Sequence, residues 1–214
     1  MISFLMPAKN TSFYIIDAIM PFINNYYKFD FELIIIDDFS TDDTFNITSN
    51  LLDKYERLNI YKNILSGKNN ALKYAFSLAN GNVIKCIDSD DVISDLLFKY
   101  LEKNIDNILV HDSHIVDKDL TIISYYKLLN KFYNSNFNSV IKNCISPPRW
   151  VWSFPYEIGN KIFPIPNELP FEDFWFSLVL SSQTNTKKIY IPESLYLYRQ
   201  HDTQEFGGDF KFHK

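Results

Sequence analysis

The chain has 214 residues, 46% hydrophobic and 17% aromatic, enough to bury one substantial core and too few for two comfortable domains. Its 26 acidic side chains outnumber 21 basic ones, a formal net charge of -5, so no basic field favours a nucleic acid or an anionic surface as partner. Cys86 and Cys144 are the only cysteines, which excludes a disulfide framework or a cysteine metal site and fits a reducing, cytoplasmic compartment.

The opening run Met1 to Met6 lacks a basic region and is cut by Pro7, unlike a signal peptide. No apolar stretch approaches the ~20 residues needed to cross a bilayer. A soluble, cytoplasmic chain is expected, and peripheral attachment at the cytoplasmic face of a membrane is compatible with that.

Short isoleucine-rich runs then alternate with amphipathic stretches, the pattern of parallel strands joined by helices. Strands are predicted at Ile2 to Met6, Glu32 to Ile36, Leu58 to Tyr61 and Val83 to Ile87. Helices are predicted near Ser12 to Tyr26, Asp42 to Tyr55 and Asn69 to Ala79. Ser40 or Thr41 is expected to cap the second helix, with Asp42 and Asp43 in its first turn, and Ala79-Asn80-Gly81 is read as a stop signal. After about Leu109 the pieces are shorter, aromatic and proline-interrupted: Thr121 to Tyr126, Trp150 to Phe154, a helix from Phe171 to about Ser182 and a strand from Leu195 to Arg199. The class is α/β: one domain, with a parallel-sheet half over about 1–108 and a smaller α+β half over about 109–214.

In open α/β sheets ligands collect beyond the carboxyl ends of the strands, so the residues after each apolar run matter most. Leu33-Ile34-Ile35-Ile36 delivers Asp37-Asp38, and Val83 to Ile87 delivers Asp88-Ser89-Asp90-Asp91. Five carboxylates at one edge repel unless a divalent cation gathers them, and oxygen donors favour Mg²⁺ or Mn²⁺ with positions open for phosphate oxygens. Alternation along an extended strand would turn Asp88 and Asp90 to one side, Ser89 and Asp91 to the other. The plainer alternative is that these acids cap the next helix.

These segments resemble inverting glycosyltransferases of family 2 with the GT-A fold, a Rossmann-like, mostly parallel sheet flanked by helices. Ile2-Ser3-Phe4-Leu5-Met6-Pro7-Ala8-Lys9-Asn10 is similar to the family's first strand and nucleotide loop, which implies donor contacts from Pro7, Ala8 and Asn10. Phe31 to Asp42 is similar to the second-strand signature, in which Asp38 would contact the base; Phe39 stands where relatives often have glycine. Ser66-Gly67-Lys68 resembles the approach to the metal strand, and Lys68 is a candidate phosphate contact. Asp88-Ser89-Asp90 falls on the Asp-x-Asp motif, implying that Asp90 ligates Mn²⁺ or Mg²⁺ while Asp88, with Ser89, holds the ribose or the metal's water shell. Leu169 to Trp175 resembles the Glu-Asp motif, which makes Asp173 the candidate base and Glu172 the second choice. Tyr198-Arg199-Gln200-His201 resembles a C-terminal motif that sets His201 near metal and diphosphate, with Arg199 as a donor contact.

The resemblance implies transfer of a sugar from a nucleoside diphosphate donor, expected to be a UDP-sugar, to the hydroxyl of a saccharide or lipid-linked saccharide. Bacterial surface polysaccharide synthesis is the expected setting. Taken without the resemblance, Glu172 and Asp173 read as first-turn helix acids, Arg199 as half of an ion pair, and the tryptophans as core. The rivals are a nucleotidyltransferase, against which the missing glycine-rich basic loop after the first strand counts, and a non-catalytic saccharide- or nucleotide-binding homologue.

Overall fold

The computed structural model describes residues 1–128, 134–166, 169, 172–202 and 204. Its first half alternates β1 (Ile2–Ala8), α1 (Ile15–Asn25), β2 (Phe31–Asp37), α2 (Thr44–Leu52), β3 (Leu58–Lys62), α3 (Lys68–Leu78) and β4 (Val83–Cys86). The four strands are parallel in the order β3-β2-β1-β4. β1 lies between β2 and β4 and is buried along its whole length, so its apolar residues need not alternate with polar ones.

The second half supplies β5 (Val92–Ile93), α4 (Asp95–Lys103), β6 (Ile108–Val116), β7 (Ile122–Tyr126), α5 (Phe137–Asn143), a 3-10 turn (Arg149–Val151), β8 (Trp152–Pro155), α6 (Tyr156–Ile162), α7 (Glu172–Ser181) and β9 (Lys188–Arg199). The sheet continues past β4 through antiparallel β8, then β6, β9 and β5, with β7 paired to β6. One sheet therefore joins both halves. Phe4, Phe22, Phe31 and Phe98 pack ring to ring where α1 and α4 cover one face. Phe76 of α3, Phe154, Phe163 and Phe176 of α7 form a second aromatic cluster, which Tyr156 joins by stacking on Phe76. No helix among the described residues is long and apolar enough to cross a membrane.

Several elements differ from expectation, each for a local reason. α2 begins at Thr44 because Asp42, rather than Ser40 or Thr41, accepts the Thr44 N–H (3.0 Å) and hydroxyl (2.6 Å). Gly81 is not a left-handed helix stop; it is required because a Cβ there would lie 2.6 Å from the Ser3 backbone nitrogen of β1. β9 begins seven residues earlier than Leu195. Pro192, which has no N–H to give, falls in a register shift against β6 that leaves Pro192 and Glu193 outside the ladder. Trp150 to Phe154 divides between the 3-10 turn and β8. The last helix is described from Glu172; Pro170 and Phe171 lie outside the described residues.

Candidate active site

The ends of β1, β2 and β4 open onto one rim. After β1, Asn10 turns left-handed (φ 52°) and its side-chain oxygen accepts the Thr41 N–H at 2.8 Å, which ties the first loop to the second. After β2, Phe39 takes φ 58°, a conformation that favours glycine and costs a bulky residue about 1–2 kcal/mol. Its ring is left 55% exposed beside the rim. Asp38 is buried and accepts Asn63 Nδ2 at 2.8 Å and the Gly67 N–H at 2.9 Å. Gly67 itself sits at φ 115°, a value that only glycine adopts without strain.

From Gly67 the chain enters α3, and Lys68 reaches across β1 to the end of β4, where its ammonium lies 3.1 Å from Asp88 Oδ1. Residues 88–91 form a turn rather than an extended strand, closed by the Asp91 N–H on the Asp88 carbonyl at 3.4 Å. Its three carboxylates therefore part. Asp88 is held by Lys68 and by the Arg149 guanidinium. Asp90 Oδ2 faces His201 Nε2 at 3.1 Å. Asp91 turns inward and accepts the Arg199 N–H at 2.7 Å, and Ser89 is buried beside it. The five carboxylates of the rim do not form one cluster, and among the described residues no three His, Cys, Asp or Glu side chains come together around a cation.

The Asp90–His201 pair nevertheless suits a shared cation. Donors on adjacent octahedral positions at about 2.1 Å stand about 3 Å apart, close to the 3.1 Å seen between these two atoms. Two protein donors would leave the remaining positions for water and phosphate oxygens, and the imidazole nitrogen among them suits Mn²⁺ better than the oxygen-seeking Mg²⁺. The Tyr14 ring, just before α1, lies 4.3 Å from the His201 ring.

The second half contributes Arg149, which no sequence pattern singled out. Its guanidinium is 3% exposed and spans Asp88 and Glu172 Oε1 (3.1 Å), while its backbone N–H donates to Asp173 Oδ1 at 2.7 Å. Burial would raise the Asp88 pKa, but Arg149 and Lys68 outweigh it and hold the carboxyl well below the usual carboxylate range. For Lys68, burial and Arg149 act downward, yet Asp88 and Glu172 prevail and keep the ammonium above its ordinary value. Asp173 differs: burial and the neighbouring Glu172 push it up to about 6, against the pull of Arg149.

Below the rim, Lys85 of β4 is fully buried, with its ammonium on His111 Nε2 (2.7 Å), the Trp150 carbonyl and the Trp152 carbonyl (3.3 Å). It thereby ties β4 to the turn that presents Arg149 and to the first residue of β8. Burial, abetted by Arg149 and opposed by Cys86, brings its pKa down to about 7. Trp150 is stacked between Tyr196 and Tyr198 (4.8 and 5.4 Å) and, like Trp152, is core; Trp175 is half-buried and donates Nε1–H to the Ile162 carbonyl. The Arg199 side chain pairs with Asp17 (2.9 Å) and lies over the Tyr14 ring, so its backbone rather than its guanidinium meets the acidic turn.

One continuous chain of contacts thus links Asp38, through Gly67 and Lys68, to Asp88, Arg149, Glu172 and Asp173, with Asp90 and His201 beside it. Pro7, Ala8 and Asn10 border that rim at the end of β1.

Residues 3–154 match the model of glycosyl transferase family 2. A Haemophilus influenzae protein named "Uncharacterized glycosyltransferase" is 36% identical over 112 residues, which is 51% of this chain and 44% of that protein. The minor teichoic acid biosynthesis protein GgaB of Bacillus subtilis is 28% identical over 139 residues, 64% of this chain and 15% of its own length. The chain therefore spans less than half of either relative. Among solved structures, S. aureus TarS 1-349 in complex with UDP-GlcNAc superposes with a TM-score of 0.68 over 95% of this chain and 59% of that one, at 19% identity. That likeness establishes the fold as GT-A.

Proposed function

The chain belongs to glycosyl transferase family 2, and from that premise we propose that it moves a sugar from a UDP-sugar to an acceptor hydroxyl with inversion at the anomeric carbon. The carrying observation is that Arg149 joins the two motifs: one guanidinium touches Asp88, and the same residue's N–H touches Asp173.

In this reading Asp38, Pro7, Ala8 and Asn10 receive the nucleoside, Asp88 borders the ribose with the buried Ser89 supporting the turn behind it, and Lys68 meets the diphosphate. Asp173 Oδ1 is held by the Arg149 N–H, and its second oxygen takes the acceptor proton. As that proton leaves, the acceptor oxygen bonds to the anomeric carbon from the face opposite the diphosphate. The carbon–oxygen bond to the diphosphate breaks, and the electron pair departs with it. A carboxylate positioned for such a proton transfer contributes about 10²–10⁴-fold. Asp90 and His201 would hold Mn²⁺ or Mg²⁺, which supplies charge neutralisation at the departing phosphate oxygens when bound.

Support for the donor comes from TarS, solved with UDP-GlcNAc, and for a cell-envelope saccharide or lipid-linked saccharide as acceptor from GgaB, a teichoic acid biosynthesis protein. Peripheral association with the cytoplasmic face of a membrane would bring the chain to such an acceptor.

The test is nucleoside diphosphate release from a panel of UDP- and GDP-sugars, with Mn²⁺ or Mg²⁺. Slow release from one UDP-sugar without acceptor, absent in Asp173→Asn, supports the transferase. Tight nucleotide binding with no turnover under any acceptor would assign a binding module, and pyrophosphate-dependent release of a nucleoside triphosphate would assign a nucleotidyltransferase.

A further inference from the structure

We propose that Arg149 is the positioning residue of this site: from the 3-10 turn it orients Asp173 through its backbone N–H and ties Glu172 to Asp88 through its guanidinium, so that the acid–base group and the donor-side carboxylate are set as one unit. The inference rests on Asp173 being the base.

Three features give this single residue its reach. Pro148 precedes the turn with φ -54° and ψ 142°, which fixes the direction in which Arg149 enters. Lys85 binds the Trp150 and Trp152 carbonyls from beneath, so the backbone that carries the Asp173 contact is itself held from a central strand. The guanidinium is almost wholly buried, and its Nε–H has no hydrogen-bond partner among the described residues. A buried guanidinium must meet counter-charges, and Asp88 and Glu172 supply them.

The alternative source of order, Lys68, spans the same two carboxylates from a side chain that is 38% exposed and 3.9 Å from Glu172. A long, partly solvated ammonium fixes geometry less well than a planar guanidinium. Among the described residues the charged and titratable groups that bear on Asp173 are Glu172 on its own helix, Arg149 on the turn, Lys68 on α3 and Tyr126 on β7. Glu172 raises the proton affinity of Asp173, the two cations lower it, and Arg149 has the larger effect of the two. Removing Arg149 leaves Glu172 and Asp173 with the half-buried Lys68, 3.9 Å from Glu172, as the remaining cation that acts on them.

The experiment follows the Asp173 carboxyl directly. Full-length protein carrying ¹³C-carboxyl aspartate is titrated by NMR, with the resonance assigned by its loss in Asp173→Asn, in wild type, Arg149→Met and Arg149→Lys. The pH profile of kcat is recorded in parallel. Arg149→Met is expected to move the Asp173 midpoint upward by about 1–3 pH units, the usual effect of losing an adjacent cation, and to carry the kcat profile with it. Both variants keep the backbone N–H, so the shift reads the guanidinium; Arg149→Lys, which keeps a cation, is expected to show a smaller rise than Arg149→Met. Should Arg149→Met fail to fold, Arg149→Lys decides alone, with an expected rise of roughly half a unit or more. An unchanged Asp173 midpoint in a folded Arg149 variant overturns the proposal. If wild type turns over no nucleotide sugar, the transferase reading fails, while the titration still decides the role of Arg149.

Discussion

Replacing Asp173 by asparagine should stabilise the fold while abolishing turnover. The carboxyl titrates near 6 in the folded chain, against about 3.9 for an unperturbed aspartate, a difference of about two units. At 1.36 kcal/mol per unit this is at most about 3 kcal/mol, and nearer 1–2 once its half-buried position is allowed for. Below about pH 4 both folded and unfolded states hold the proton, and the group contributes nothing. Between pH 4 and 6 the unfolded chain ionises first, so stability falls as pH rises, and above pH 6 the full cost is present. Asparagine keeps an oxygen for the Arg149 N–H and removes the charge. Urea unfolding should therefore show Asp173→Asn more stable than wild type by about 1–2 kcal/mol at pH 7.5 and equal to it at pH 4. Turnover should fall at least about 100-fold above pH 6, where the wild-type carboxyl is ionised, and the gap should narrow as the pH drops below that. A variant that is less stable than wild type at pH 7.5, or equally favoured at both pH values, would refute the claim that the site holds a strained base.

Two further substitutions probe the support beneath the rim. Gly81→Ala forces a Cβ to 2.6 Å from the Ser3 nitrogen and should cost about 1–3 kcal/mol in urea unfolding, without altering the pH profile of turnover; a loss below 0.5 kcal/mol, to order of magnitude, would show that β1 and β4 can part there. Lys85 titrates near 7 folded and at its ordinary value unfolded, so the unfolded state binds more protons between about pH 7 and 10 and wild-type stability gains an upward slope there. Lys85→Met should flatten that slope and, by stranding the Trp150 and Trp152 carbonyls, destabilise by about 2–4 kcal/mol at pH 9. An unchanged slope would mean that Lys85 is not the group responsible.

The first half of the molecule is legible because its signals are local. The runs that became β1, β2 and β4 are strands buried on both faces, while β3 at the edge is partly exposed, and Asp38 and Asp88 follow directly from where β2 and β4 stop. The second half hides its strands. His111-Asp112-Ser113 interrupts the apolar run of β6 with polar residues, two of which meet partners remote in sequence: His111 meets Lys85, and Asp112 accepts from the Tyr125 and Tyr190 hydroxyls and the Leu128 N–H. Pro192 breaks β9 in the same way. Arg149 escapes notice for a related reason: a lone cation in the apolar run Arg149-Trp150-Val151-Trp152 has no periodicity, and only the folded chain reveals the carboxylates opposite it. Such a cation, like Lys85 inside Val83-Ile84-Lys85-Cys86-Ile87, does carry a signal, since a charge amid apolar residues must find a buried partner. The departure of the Asp88–Asp91 turn from simple alternation is a loop property, and strand periodicity says nothing about it.

The most direct measurement is the thermal shift of wild type and Asp90→Asn with UDP, in Mn²⁺ and in chelator. Wild type is expected to be stabilised by UDP when Mn²⁺ is present, by about 2.7 kcal/mol at a hundredfold excess over Kd, and Asp90→Asn to lose the metal-dependent part. A UDP shift of equal size in chelator, or one unaffected by Asp90→Asn, would contradict the assignment of the Asp90–His201 pair to a cation beneath the diphosphate.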